Sequence, residues 1–333
     1  MDIGGAAAGT SFNLIGTTHT NAGTYNNDPW SFSGGTNYYD ASGTVNDSIA
    51  KATAMITVTK YNVTYNGLSH TATATATGVD TGGAALGTSF NLSGTTHTNA
   101  GTYTGDAWNF SGGTNYKDAT GTVDDSIAKA LLTIKADDKQ IVLHAALPTF
   151  TVTPTGFVNG ETQAVLGGTL TFTPTTTPAN AGTYDIVPSG LTSNNYTITF
   201  QKGALSVMYS ISCTAFGDPT HAILQPINPD GSSVNKAGST VPAKFRVTDA
   251  NCNSIGTSGV VTSFKLIGQM SDTNTVVNED VVSTTPDTAF RWDPTAQQWI
   301  FNISTKGMKA GVKYTYQITL NDGSSIMFSF ALR

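Results

Sequence analysis

The sequence predicts an all-β protein built from modules in series, and three observations carry that prediction. The first is a repeated block. Gly94-Thr-Thr-His-Thr-Asn-Ala-Gly-Thr-Tyr103, followed by Trp108, Phe110 and Tyr116, restates Gly16 to Tyr25 with Trp30, Phe32 and Tyr38 at a constant offset of about 78 residues. A shorter echo follows at Asn180-Ala-Gly-Thr-Tyr184 with Asn195-Tyr196. The second is composition. Charged residues are 11% of the chain, against roughly 25% in an ordinary soluble domain, and Thr, Ser, Asn and Gly fill the gap. Thr favours strands and Gly and Asn favour turns. The third is strict alternation of side chains in stretches such as His70-Thr-Ala-Thr-Ala-Thr-Ala-Thr77, which sends threonines to one face and alanines to the other.

Charge and hydropathy exclude several function classes. The formal net charge is −6 with no Lys/Arg cluster, which argues against nucleic acid and against anionic membrane surfaces. No apolar run approaches the ~20 residues of a membrane span, so no membrane insertion is expected. The N-terminus, Met1-Asp2-Ile3-Gly4-Gly5, lacks the basic and apolar regions of a secretory signal, and Met1 stands where Val79 stands in the next copy. The expectation is a chain that starts inside a module, with further modules upstream.

Residues 2 to 52 align without a gap to 80 to 130, with about ten differences over that span, as duplication within the chain would produce. Strands are expected at Ser11-Phe12-Asn13-Leu14, Trp30-Ser31-Phe32 and Ala54-Met55-Ile56-Thr57-Val58, separated by Asn21, Gly23, Gly34 and Gly35. The third copy ends in Leu205-Ser-Val207. If every copy closes on such an Ile-x-Val strand, the modules are 1–58, 59–135 and 136–208, with a different domain at 209–333. The second copy carries Lys60 to Val79 ahead of its Gly-Gly-Ala segment, with Asn66-Gly67 as a hairpin signal. The first copy has no counterpart. It is therefore expected to lack two strands, to leave Phe12, Leu14, Trp30 and Phe32 uncovered, and to be the weakest part of the chain. The short junctions predict an elongated array with little contact between neighbours beyond the shared strand.

The wording of the third copy, Gly156-Phe-Val-Asn-Gly-Glu161 followed by Leu170-Thr-Phe172 and the Asn-Ala-Gly-Thr-Tyr block, carries a family resemblance. The three modules resemble the mostly-β MBG-type repeats of bacterial surface proteins. That resemblance implies Ig-like β-sandwich modules used in series on a bacterial exterior, extracellular or at the cell surface.

In the last domain Val241, Ala243, Phe245 and Val247 alternate with Lys244 and Arg246, which places the two cations on the opposite face. Pro242 lacks a ladder donor and belongs at a strand start or an edge. Phe290-Arg-Trp292 and Trp299-Ile-Phe-Asn-Ile303 flank an Asp293-Pro294 turn. Tyr314, Tyr316, Ile318 and Leu320 face Ile326, Phe328, Phe330 and Leu332 across Asn321-Asp-Gly323. This domain resembles the PxKF family, whose naming motif stands here as Pro242-Ala243-Lys244-Phe245, and the resemblance implies the C-terminal module of a secreted bacterial protein. No catalytic residue comes with either family.

Chemistry is sparse. His19, His70, His97, His144 and His221 are isolated, without the short His/Cys spacing of a zinc site, and there is no Gly-x-Ser-x-Gly elbow or phosphate loop. Asp40 with Asp47, and Asp118 with Asp124 and Asp125, are weighed as calcium ligands, but their spacing matches no EF-hand and solvated loop acids are the favoured reading. No cofactor is expected. Cys213 and Cys252, the two cysteines, both fall in the last domain and read either as a disulfide, which an extracellular setting favours, or as two buried thiols.

Three functions follow: a non-catalytic stalk or adhesin segment, a carbohydrate-binding module, and the accessory region of an enzyme whose catalytic domain lies upstream. The first is the leading reading. The partners it expects are a cell-surface glycan or matrix and the upstream modules of the same chain. The second needs exposed aromatics, with Tyr38, Tyr39, Trp292 and Trp299 as candidates and Tyr39 set apart because its counterpart is Lys117.

Overall fold

The computed structural model describes residues 8–271, 276–277 and 287–333. Among the described residues every regular element is a strand or a single 3-10 turn. They divide into two compact units. One holds Met1–Leu131 with Gly156–Val165 and Ser193–Thr197, and the other holds Leu132–Thr155, Leu166–Thr192 and Ile198–Arg333.

In the first unit, the first copy is one three-stranded sheet of β1 (Ser11–Asn13), β2 (Gly23–Ser33) and β3 (Ala41–Ile49), in that order. The second copy has two sheets. β4 (Met55–Thr59) pairs with β6 (Thr73–Thr77), while β5 (Asn62–Thr64), β7 (Ser89–Asn91), β8 (Gly101–Ser111) and β9 (Ala119–Ala128) form a sheet ordered β5-β9-β8-β7. The Thr/Ala alternation produces what period two requires: Ala74 and Ala76 are partly covered and Thr73, Thr75 and Thr77 are exposed. Trp30 and Trp108 lie opposite Gly43 and Gly121 across the β2–β3 and β8–β9 ladders. A Cβ at Gly121 would collide with the Trp108 ring, so the indole occupies the place that any larger residue would fill.

The third copy begins with β10 (Ala130–Ala136). A three-stranded sheet runs β12-β10-β15, with β12 at Val152–Thr155 and β15 at Tyr196–Gln201. A four-stranded sheet runs β11-β16-β14-β13, with β11 at Lys139–Val142, β13 at Gly167–Thr173, β14 at Gly182–Thr192 and β16 at Gly203–Met208. Ile134, Ile186, Leu205 and Val207 are fully buried.

These pairings correct the expected module boundaries at 58/59 and 135/136. β4 pairs with β6 and β10 pairs with β12, so each of these strands opens the copy that follows it. The true counterpart of Leu205-Ser-Val207 is Asp125-Ser-Ile127, because Val207 lies opposite Gly182 as Ile127 lies opposite Gly101. The two Ile-x-Val-like strands of a copy look alike in sequence, and only pairing tells the opening one from the closing one. Among the described residues the first copy accordingly shows no counterpart of three strands, β4, β5 and β6, rather than of two.

Its apolar face is open. Phe12 is 65% and Leu14 52% exposed, and Ile49 is 37% exposed where its counterpart Ile127 is 2%. Trp30 and Phe32 remain half-buried, because Phe12 packs against both rings at 6.3 and 4.9 Å between centroids.

The last domain, in the second unit, has a four-stranded sheet of Ile223–Leu224, Thr240–Phe245, Gln298–Ser304 and Arg291–Asp293, in that order. A five-stranded sheet contains the Val312–Leu320 and Ser325–Leu332 hairpin with Val261–Ser271 at its side. Val241, Ala243, Phe245 and Val247 are buried, as are all eight alternating apolar residues of the hairpin. Phe264 joins the two sheets, 4.8 Å from Phe301 and 5.2 Å from Tyr316 by ring centroid. Ile223–Leu224 pairs only with Phe245 and Lys244, so Pro242 lies beyond its reach and sits at a local edge. Arg246, assigned by alternation to the face opposite Phe245, is nonetheless only 2% exposed. Its guanidinium donates to the carbonyls of Ala296 and Gln297, both at 2.9 Å, and reaches the Asp218 carboxylate, so a turn wraps the cation and satisfies it.

Candidate functional site: the clasps between repeats

The duplicated block places an Asn-Ala-Gly turn at the start of β2 and of β8, and each turn meets an asparagine of the following copy. Asn115 accepts the Ala22 N–H on Oδ1 at 2.8 Å and donates from Nδ2 to the Asn21 Oδ1 at 3.1 Å. Asn195 repeats this with Ala100 at 2.9 Å and Asn99 at 3.2 Å. A primary amide suits the role because it offers an acceptor and a donor side by side. The backbone of the same asparagine is engaged as well. The carbonyl of Asn115 accepts from Ala52, three residues ahead of β4, and that of Asn195 from Ala130, the first residue of β10.

Beside each asparagine a buried tyrosine anchors the loop to a carboxylate. Tyr116 is fully buried and donates to Asp80 Oδ2 at 2.6 Å. Tyr196 donates to Glu161 Oε2 and Tyr65 to Glu161 Oε1, both at 2.5 Å, so one carboxylate of the third copy holds a tyrosine of the second and one of its own. The bond to Glu161 and then burial push the Tyr65 phenol up to about 12. Burial, then the bond to the same carboxylate, raises Tyr196. The Tyr116 bond is the main reason the Asp80 carboxyl titrates lower than usual. Gly156–Val165 and Ser193–Thr197, which carry Glu161, Asn195 and Tyr196, belong to the first unit. The expectation of little contact at the junctions is therefore corrected: a specific side-chain clasp fastens each of these copies to the next.

Four of the five histidines have a side-chain partner. His19 Nε2 stands 2.6 Å from Asp28 and His97 Nε2 2.7 Å from Asp106, and each ring stacks flat on a tyrosine, Tyr25 or Tyr103, at 3.5 Å. With the ring face covered and both partners internal to a hairpin, the pair braces the turn. The nine-residue His-to-Asp spacing recurs in both copies and was the signal available in the sequence. His144 Nδ1 meets Asp249 at 2.9 Å, and His70 meets Asn66. The acids weighed for calcium do not converge. Asp40 and Asp118 each accept a glycine N–H six residues back, Asp124 accepts Gly105 N–H, and Asp125 accepts Tyr61 N–H. Among the described residues no cluster of His, Cys, Asp or Glu forms a metal site.

Cys213 and Cys252 face each other with Cα atoms 5.6 Å apart, inside the range a bridge requires. Of the aromatics weighed for sugar stacking, Trp299 is 6% exposed and donates to the Ile255 carbonyl, Tyr38 is 39% exposed, and Tyr39 is 96% exposed. Trp292 is half-buried, lying flat over Gly256 at the side of a cleft of about 700 Å³ that Phe264 and Phe290 also line.

Residues 132–206 match the family model of the MBG domain (YGX type). This match covers the third copy, from inside β10 to inside β16. No curated protein matches the chain. Among solved structures, the three N-terminal domains of the bacteriophage RB49 Highly Immunogenic Outer Capsid protein (Hoc) align with 85% of this chain and 98% of theirs, at 9% identity and a TM-score of 0.27. A Bacteroides ovatus protein, SGBP-B of a mixed-linkage glucan utilization locus, in complex with a mixed-linkage heptasaccharide, aligns over 83% of this chain and 66% of its own, at 10% identity and a TM-score of 0.16. Likenesses this distant carry no argument about function. Among the described residues no helix is long and apolar enough to cross a membrane.

Proposed function

We propose that this chain is a non-catalytic structural segment, a stalk or adhesin segment of a secreted or surface-exposed bacterial protein, in which MBG-type repeats are held in series ahead of a PxKF-like domain at 209–333. The observation that supports it most is the clasp, made with the same atoms at both junctions, Asn115 on Asn21-Ala22 and Asn195 on Asn99-Ala100. A side-chain contact repeated from copy to copy is what a spacer built of modules in series uses, and no catalyst requires it. The supporting chemistry is the use of titratable groups as braces. Small-angle scattering tests the reading. An extended array should give a radius of gyration well above the ~20 Å of one compact globule of this length, and a value near 20 Å would overturn it.

A second reading, carbohydrate binding, is favoured by Trp292 beside the aromatic cleft. Saturable retention on a glycan array, abolished by Trp292→Ala in a protein that still melts cooperatively, would establish it over the first.

A further inference from the structure

The second and third copies each carry a short strand laid parallel along their closing strand. β5 runs beside β9 with Asn62 opposite Ser126, Val63 opposite Ile127 and Thr64 opposite Ala128, and β11 runs beside β16 with Lys139 opposite Leu205. In the second copy the fastening is visible atom by atom. Ser126 N–H donates to the Tyr61 carbonyl at 3.1 Å, and Tyr65 N–H donates to the Ala128 carbonyl at 2.8 Å. Tyr61 N–H donates to Asp125 Oδ1 at 2.9 Å.

The first copy has the same acceptor, residue for residue: Asp47-Ser48-Ile49-Ala50 stands where Asp125-Ser126-Ile127-Ala128 stands. β2 takes one side of it, with Thr24 opposite Ser48 and Gly23 opposite Ile49. The other side is a sheet edge among the described residues, because β3 ends the order β1-β2-β3. A groove of about 360 Å³ lies across the adjoining ends of β2 and β3, lined by Gly23, Thr24, Ser48, Ile49 and Ala50 among others. The difference in cover is large: Ile49 is 37% exposed and Ile127 2%.

We propose that the end of β3 is a strand-acceptor site whose ligand is an extended segment of the type Tyr-x-Val-x-Tyr, supplied by another repeat of this kind and laid parallel to β3. The outward N–H of Ser48 and carbonyl of Ala50 bind its backbone. The Asp47 carboxylate receives the N–H of its first tyrosine, and its valine closes over Ile49. Main-chain bonds supply the attachment and the alternate side chains supply the choice of partner, as in other β-augmentation sites. The inference concerns this edge alone and does not depend on the stalk reading, since binding is measured on the chain without reference to its shape.

The test uses the full chain and a labelled synthetic peptide with the sequence of residues 59–78. Anisotropy should show saturable one-to-one binding, and amide exchange should show new protection at Ser48 and its neighbours. Ser48→Pro removes the outward donor while leaving the bonds to β2, and should weaken binding about tenfold, the effect of one lost hydrogen bond. A peptide carrying Val63→Asp should not bind, which keeps the test decisive if the Ser48→Pro chain folds poorly. Failure to saturate, equal binding of a shuffled peptide, or protection gained at residues 126–128 instead of 48–50 would overturn the proposal.

Discussion

The side-chain amide of Asn115 spans two copies of one repeat, taking the N–H of Ala22 at 2.8 Å from the copy before while its own backbone carbonyl holds Ala52 at 2.8 Å. Asn115→Ala removes both bonds to the Asn21-Ala22 turn and leaves the Ala22 N–H without that partner. The expected cost is about 1–3 kcal/mol, concentrated at the junction. Amide exchange at Ala22 should accelerate by the corresponding factor while the β8–β9 core is unchanged. Asn115→Asp keeps the acceptor and loses the donor, so it should fall between the two.

The first copy should be the least protected part of the chain. Its counterpart sheet is flanked by β5 in a copy that also holds the β4–β6 pair, and none of these three strands has an equivalent among the described residues of the first copy. Amides of residues 10–50 should exchange faster than those of 88–128, although the two stretches are nearly identical in sequence. Equal protection would mean that the open face of Phe12 and Leu14 is covered in solution.

Cys213 and Cys252 are proposed to form a disulfide that closes a loop of 39 residues in the last domain. By chain entropy such a loop contributes about 3–4 kcal/mol. Reductant, or Cys213→Ser with Cys252→Ser, should lower the melting temperature of the last domain and leave the first unit unaffected. A melt indifferent to reductant would show two thiols.

His221 is expected to make the last domain sensitive to acid. Burial depresses its imidazole below the ordinary 6.5, only partly offset by the Asp322 carboxylate, and its Nδ1 is buried without a hydrogen-bond partner. Below 6.5 the unfolded chain takes up a proton that the folded domain resists, so stability falls as pH drops from 6.5 towards the folded pKa and is fully present above that window. His221→Asn accepts the left-handed backbone at φ 59 and removes the titration. Denaturant midpoints should lose part of their slope between about pH 7 and 5 in this variant.

Alternation at Val241 to Val247 and along the Tyr314 to Leu332 hairpin predicted the buried faces, because a strand's period of two is written into its own residues. At Arg246 alternation assigned a face but could not show that the Ala296-Gln297 turn would fold over it.

By itself the sequence determined what local chemistry decides: strands from Thr, Val and aromatic alternation, turns from Asn and Gly, and a duplicated block whose two copies take the same backbone path. The tertiary structure decided the partnerships. Met55–Thr59 could close one copy or open the next, and the choice rests on its ladder with Thr73–Thr77. Asn115 and Ala22 are 93 residues apart, as Asn195 and Ala100 are 95 apart. A hydrogen bond over that separation depends on where whole sheets place their loops, and that placement comes from burial summed over many side chains rather than from any one of them.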